Sequence, residues 1–343
     1  MTDPATSALP ALKAIYATVA ATEIARVVQE TYSLGAVAFC ELIRRGFNDV
    51  YDVRFESGLR CAARLAGLRA RGPANSAYEG ALLAHLHTAG VAVGAAIPNA
   101  QGALWRDFEA PEGARTLMLF QWLDGAPPRA NLDDVALMGR GLALIHEAGE
   151  TYAGPPSRYA YSLEALRRGG LARLLAAPTM DDAARSSVTG LMTRLDLRLA
   201  QIPELSQVTC HGDCHGGNTF MASGPDGVRV AGFFDFDDAG PGPLAFDLAV
   251  YLWTHLQQTG GAVPQARSLA AWEAFITGYR TAREIPPADF AAIAGFVSFR
   301  HLWFMGEYAS RVPEWGMVSL SPDWITRQIE LLAAWETLET PPV

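Results

Sequence analysis

The feature that most constrains this 343-residue chain is a polar, glycine-rich island, Val208–Leu248, inside a half that otherwise shows helical spacing. It holds HGDCHGGN (His211–Asn218) and, after room for a short strand pair, GFFDFDD (Gly232–Asp238). Three glycines in those first eight residues argue against a regular helix and predict a tight loop whose backbone can approach a ligand closely. The flanking patterns differ. Leu12–Thr31 has helical spacing. VAFCELIRR, VYDVRF and RCAARLA, between Ala36 and Ala66, read as strands separated by the turns Gly46–Asp49 and Glu56–Gly58. Asn75–Ala89 reads as a helix, and Leu104–Glu109 and Thr116–Trp122 as two more strands. Leu123–Pro128 is a breaker. Beyond it, Leu132–Glu147, Ser162–Leu175, Asp181–Ile202, Gln265–Arg283, Asp289–Tyr308 and Pro322–Leu338 carry apolar residues three and four apart. The expectation is an α+β chain of two lobes: residues 1–122 as an N-terminal helix and a small antiparallel sheet with one helix, residues 123–343 as a larger, mainly helical lobe.

Composition bounds the function. A net charge of −9 argues against diffuse binding to nucleic acid or anionic lipid. No apolar run reaches the length of a membrane span, and the first residues lack the basic region of a signal peptide. Cys40, Cys61, Cys210 and Cys214 form neither a CxxC motif nor a dense framework, so a reducing cytoplasm is the expected location. One lysine, Lys13, stands beside 26 arginines, so a mechanism that needs a buried lysine has only Lys13 to use.

Asp213 and Asn218 have the Asp-x-x-x-x-Asn spacing of a kinase catalytic loop. There the carboxylate receives the proton of an attacking hydroxyl and the amide oxygen binds a metal ion. The apolar run ending at Asp235 places that carboxylate at the end of a buried strand. With Asn218 it supplies the hard oxygen ligands that suit Mg²⁺, and Asp237 is a candidate for an added contact. A zinc alternative rests on His211 and His215 beside Cys210 and Cys214. It is disfavoured because the glycines break the helix on which two histidines four apart would share a face. His211 and His215 are then expected to brace the loop or touch substrate.

HGDCHGGN followed by FFDFDDAGPGPLAFDLA resembles the aminoglycoside phosphotransferase/choline kinase-like family, nearest its branch of stress response kinase A and type II homoserine kinase-like proteins. RHLWFMG (Arg300–Gly306) is similar to that branch as well. The resemblance implies a protein kinase-like two-lobed fold, Asp213 as catalytic base, Asn218 and Asp235 as Mg²⁺ ligands, and Asp247 as a brace under the loop.

The chain has neither GxxxxGK[ST], which excludes a P-loop, nor GxGxxG. Gly46 and Asn48, in the turn between the first two strands, are the candidates to lie over the phosphates. On the third strand Arg64 stands where a kinase presents lysine; it is expected to bind the α/β-phosphates and to pair with Glu79 in the following helix. Gln121 and Trp122 fall at the hinge that would meet adenine, with Met118 a candidate for the base pocket. The expected reaction moves the γ-phosphoryl group of ATP, with Mg²⁺, to a hydroxyl. The expected acceptor is a small metabolite such as an amino alcohol, amino acid or aminoglycoside-like molecule. A protein Ser/Thr acceptor and a nucleotide-binding pseudokinase are the alternatives. The helices Leu269–Arg283 and Asp289–Tyr308 are expected to wall the acceptor cleft with Trp272, Tyr279, Arg300, His301, Trp303, Glu307 and Tyr308.

Overall fold

The computed structural model describes residues 12–69, 72–128, 131–202, 204–224, 227–261 and 263–343; the first eleven residues read above for a signal peptide lie outside them. Helical structure begins at Ala21, not Leu12: α1 is Ala21–Thr31. Its buried Ile24, Val27, Val28 and Thr31 form a stripe that packs on the sheet, whereas Leu12 is 95% exposed and has nothing to cover it. The sheet comprises β1 (Val37–Arg45), β2 (Asn48–Phe55) and β3 (Arg60–Ala66). After α2 (Ser76–Thr88) come β4 (Arg106–Ala110) and β5 (Gly113–Gln121). Spatial order is β1-β2-β3-β5-β4, each neighbour antiparallel. Alternation decides the faces. Tyr51, Val53, Phe55, Cys61, Ala63, Leu65, Leu117 and Leu119 pack with α1, while Val50, Ala62, Arg64 and Phe120 line a cavity on the other side. The leucines of α2, Leu82, Leu83 and Leu86, join the core of the helical half rather than that of the sheet.

The helical half begins with α3 (Leu132–Gly149), capped by the Asn131 side chain. The single helix expected over Ser162–Leu175 is broken into α4 (Leu163–Leu166) and α5 (Ala172–Leu175) by a π-helical turn at Arg167–Leu171. The backbones of Gly170 in that turn and Gly306 lie so close that a Cβ on Gly306 would overlap Gly170. Then follow α6 (Asp182–Ala200), β6 (Gln207–Cys210), β7 (Thr219–Ser223), β8 (Arg229–Phe233), β9 (Gly240–Pro243), α7 (Leu244–Thr259), α8 (Ala266–Arg280), α9 (Pro287–Ser310), α10 (Val312–Trp315) and α11 (Pro322–Ala334). The island forms two antiparallel ribbons, β6 with β9 and β7 with β8. The last helix stops short of Leu338 in a 3-10 turn, Trp335–Thr337. No helix among the described residues is long and apolar enough to cross a membrane.

α3 and α8 meet through glycines: Gly139 lies against the Phe275 carbonyl and Gly278 against that of Ala136, with no room for a Cβ at either. Gly139→Ala is therefore expected to lower stability by about 2 kcal/mol through forced separation of the two helices, despite alanine's better helix propensity. Urea unfolding checks this; unchanged or raised stability would contradict the close packing.

Candidate active site

β6 delivers the loop and α7 holds it from beneath. Asp247, in the first turn of α7, accepts the backbone N–H of His211 at 2.7 Å and of Gly212 at 2.8 Å, and lies 3.0 Å from Nε2 of His146 on α3. It is fully buried, and these donors keep its carboxyl below the ordinary range against the cost of burial. Gly212 has φ +87°, where an added Cβ would also strike the Tyr161 hydroxyl and the Asp238 carbonyl. His211 is buried, its Nε2 3.2 Å from the Phe234 carbonyl and its Nδ1 3.3 Å from the Asp213 amide.

The β7–β8 ribbon brings the two halves of the island together. Thr219 pairs with Phe233, so Asn218 lies beside Phe234; the Phe234 amide donates to the Asn218 carbonyl at 3.2 Å. Asp235 follows two residues after the strand, in the left-handed region at φ 68°. Turned this way, it faces the same cavity as Asp213. Asn218 Nδ2 donates to Asp213 Oδ2 and to the Asp213 carbonyl, both at 3.0 Å. Asn218 Oδ1 and Asp235 Oδ1 are buried without a hydrogen-bond partner. Two hard oxygens without hydrogen bonds, from an amide and a carboxylate on adjacent strand ends, are a donor set that fits a divalent cation; Arg64 Nη1 lies 3.6 Å from that of Asp235. Burial and the Asp237 charge push the Asp235 carboxyl up to about 8, and a cation at this position would oppose both causes. The zinc alternative fails on geometry. His211 and His215 spend ring nitrogens on loop amides, with Gly217 N donating to His215 Nδ1 at 2.9 Å. The buried Cys210 and Cys214 thiols have their pKa values raised, and among the described residues no three His, Cys, Asp or Glu side chains form a metal cluster.

The cavity, of about 640 Å³, lies between the sheet and the island. Arg64 enters it buried, with Nη1 2.8 Å from Glu79 Oε1 and Nη2 on Glu79 Oε2, a two-pronged pair, and with Nη1 3.6 Å from Asp235. Phe120 lies under its guanidinium. Gln121 and Trp122 line the cavity where β5 ends, and the Trp122 ring stacks on Arg60. Met118 is buried behind Arg64 rather than in the lining. Asn48 does face the cavity, but its side chain is already engaged: Nδ2 donates to Asp237 at 2.9 Å and Oδ1 accepts from the Gly67 amide. Gly46 is not in the lining; its carbonyl accepts from Arg311, just beyond α9. Asp237 also accepts from Arg69 at 2.9 Å, and Arg69 continues to Glu307 at 2.9 Å. Asp237 thus ties the turn to the large lobe.

The acceptor wall differs from expectation. Trp303, Phe304, Glu307 and Tyr308 of α9 line the cavity together with Trp253 of α7, but α8 contributes nothing. Trp272 is buried with Nε1 on the Pro341 carbonyl, and Tyr279 is buried against His146. His301 is fully buried and accepts from Trp253 Nε1 at 3.0 Å. Arg300 holds Asp213 itself: Nη2 donates to Asp213 Oδ1, and the guanidinium lies between Trp253 and Trp303. Arg300 and His215, 3.4 Å from the carboxylate, hold the half-buried Asp213 far below the ordinary range against the cost of its desolvation. Arg300 and Glu307 are expected in the cleft from the sequence, but the partnering of Arg300 with Asp213, of His146 with Asp247 and of Arg69 with Glu307 is not legible there. These partners lie 87, 101 and 238 residues apart.

A small antiparallel sheet over a helical lobe, with this loop and ribbon between them, defines a protein kinase-like fold. Residues 40–285 match the phosphotransferase enzyme family, and the chain belongs to it. It is a kinase, a phosphotransferase with a hydroxyl group as acceptor. An uncharacterised protein of Deinococcus radiodurans is 36% identical over 325 residues, covering 94% of this chain and 92% of its own. A homoserine kinase of Burkholderia ambifaria is 30% identical over 217 residues, 61% of each chain. Among solved structures, the amicoumacin kinase hAmiN, in complex with AMP-PNP, Ca²⁺ and Ami, superposes with a TM-score of 0.69 at 18% identity, covering 92% of both chains.

Burial pushes the His301 imidazole down from its ordinary value of 6.5 to about 3. The unfolded chain then binds the proton more readily. This contribution to stability is complete above pH 6.5 and is lost as pH falls from there towards 3, by up to about 1.4 kcal/mol per pH unit. Thermal unfolding between pH 7 and 5 checks it. His301→Gln, which retains an acceptor for Trp253, should flatten the slope; an unchanged slope would contradict it.

Proposed function

We propose that the chain transfers the γ-phosphoryl group of ATP, with Mg²⁺, to the hydroxyl of a small metabolite. The observation that carries this is the facing of Asp213 and Asp235 across one cavity, with Asn218 bonded to Asp213 and one oxygen each of Asn218 and Asp235 buried without a hydrogen bond. Asn218 and Asp235 would hold the cation, which when bound neutralises phosphate charge. Ile43, Val50, Ala62 and Phe120 supply an apolar seat for the base beside the end of β5. Arg64, fixed by Glu79, presents its charge on the phosphate side. Asp213 orients the acceptor hydroxyl and takes its proton late in the transfer. Its low proton affinity suits positioning better than ground-state abstraction. Asp237 supports the site through Asn48 and Arg69, Asp247 and His211 hold the loop, and His215 lies on the open side of Asp213. A binding-only protein would have no use for an ionised carboxylate steered by Arg300.

For the acceptor, the closed wall of Trp253, Trp303, Phe304 and Tyr308, crossed by the Arg69–Glu307 bridge, favours a small hydroxylated molecule over an extended polypeptide. The homoserine kinase likeness supports an amino acid or amino alcohol. Free cysteines suit a cytoplasmic setting.

Asp213→Asn is expected to cut turnover by about a hundredfold to ten-thousandfold while leaving the ATP KM nearly unchanged. EDTA should abolish transfer and Mg²⁺ restore it. Labelled ATP offered with hydroxy amino acids, amino alcohols, aminoglycosides and a cell lysate tests the reading. Label entering small molecules supports it, label entering protein alone would replace it with a protein kinase, and full activity of Asp213→Asn would remove that residue from the mechanism.

A further inference from the structure

We propose that Arg44 is a second side chain that grips the nucleotide phosphates, beside Arg64 on β3; the proposal rests on the ATP reading above. The charges lining the cavity set the problem. Six carboxylates line it, on Glu79, Asp213, Asp235, Asp237, Asp238 and Glu307, beside four arginines. Three of those arginines are buried and committed to carboxylates: Arg64 to Glu79, Arg69 to Asp237 and Glu307, Arg300 to Asp213. A polyphosphate entering here meets more carboxylates than guanidinium groups, and each of the buried guanidinium groups already shares its charge with a carboxylate. The fourth arginine, Arg44, is exposed and makes no hydrogen bond or ion pair with any described residue.

The strand register explains how Arg44 reaches the cavity. Leu42 pairs with Tyr51 and Arg44 with Val50, so Ile43 is an extra, bulged residue. In a regular strand Ile43 and Arg44 would point to opposite faces; at a bulge both can face one way. Both line the cavity. Val50 in turn pairs with Arg64, so Arg44, Val50 and Arg64 form one cross-strand row on the cavity face. The backbones of Arg44 and Arg64 are then about 10 Å apart, two strand spacings. Arg45 turns away, and its guanidinium stacks on Tyr16 at 4.9 Å. Ile43 and Val50 give an apolar roof, and Arg44 stands one residue nearer the Gly46 turn, at the boundary between a base under that roof and the phosphates beyond. A guanidinium there presents forked donors to phosphate oxygens.

Binding of Mg²⁺–AMP-PNP and, by competition, of adenosine to the full chain tests the assignment in Arg44→Ala, Arg44→Lys and Arg45→Ala. All are exposed positions that leave the cores intact. Arg44→Ala should weaken AMP-PNP about tenfold, with the loss shrinking at high salt. Adenosine should be unaffected, Arg44→Lys intermediate and Arg45→Ala like wild type. Equal AMP-PNP affinity in wild type and Arg44→Ala would overturn the assignment while leaving the nucleotide site standing. So would an equal loss in Arg45→Ala, or a parallel loss for adenosine. If the wild type binds no AMP-PNP, the ATP reading fails, and this proposal with it.

Discussion

The carboxylate of Asp247 is the fixed point from which the site is built. It is fully buried, and it survives there because two successive backbone amides and an imidazole converge on it. An unpaired carboxylate at that depth would cost several kcal/mol. The requirement runs both ways: the loop His211–Asn218 must hold its backbone against α7, and α3 must bring His146 to the same point. Gly212 is the residue type that lets the chain turn there. Once the loop is held, the β7–β8 register carries Asn218 and Asp235 to neighbouring strand ends without further design.

Charge is the second constraint. Two carboxylates on one cavity are driven in opposite directions by their surroundings. Asp213, gripped by Arg300 and near His215, is held as an anion; Asp235, half-buried beside Asp237, resists ionisation. Such a split suits the two roles proposed above, a group that positions a hydroxyl and one that holds a cation. The arginines serve mainly the protein's own acids, and one network, Asn48–Asp237–Arg69–Glu307, ties the turn above the cavity to its acceptor wall.

Much of this was legible in the sequence because it is local. The glycine density of the loop, the spacing of Asp213 from Asn218, and the alternating runs that form β1, β2 and β3 all act within a few residues. What could not be read is long-range. Helical spacing marks the buried stripe of α8 but not what covers it, so Trp272 and Tyr279 looked like acceptor residues and are core. Arg300 carries no motif that points to a partner 87 residues earlier. Between Leu12 and Ala21 the side chains of Tyr16 and Val19 find partners while Leu12 and Ile15 stay exposed, so the segment lacks the continuous buried stripe that a short helix needs. The π turn at Arg167–Leu171 holds Gly170 against Gly306, 136 residues later, a contact that no local pattern reveals.

The central claim is that Asn218 and Asp235 together form a cation site that works with a nucleotide. Electron paramagnetic resonance of Mn²⁺ added with AMP-PNP measures it directly, by comparing the full chain with Asn218→Leu and Asp235→Asn. The account predicts bound Mn²⁺ in the wild type and its loss in each variant at unchanged fold. Mn²⁺ held equally by all three proteins would contradict it.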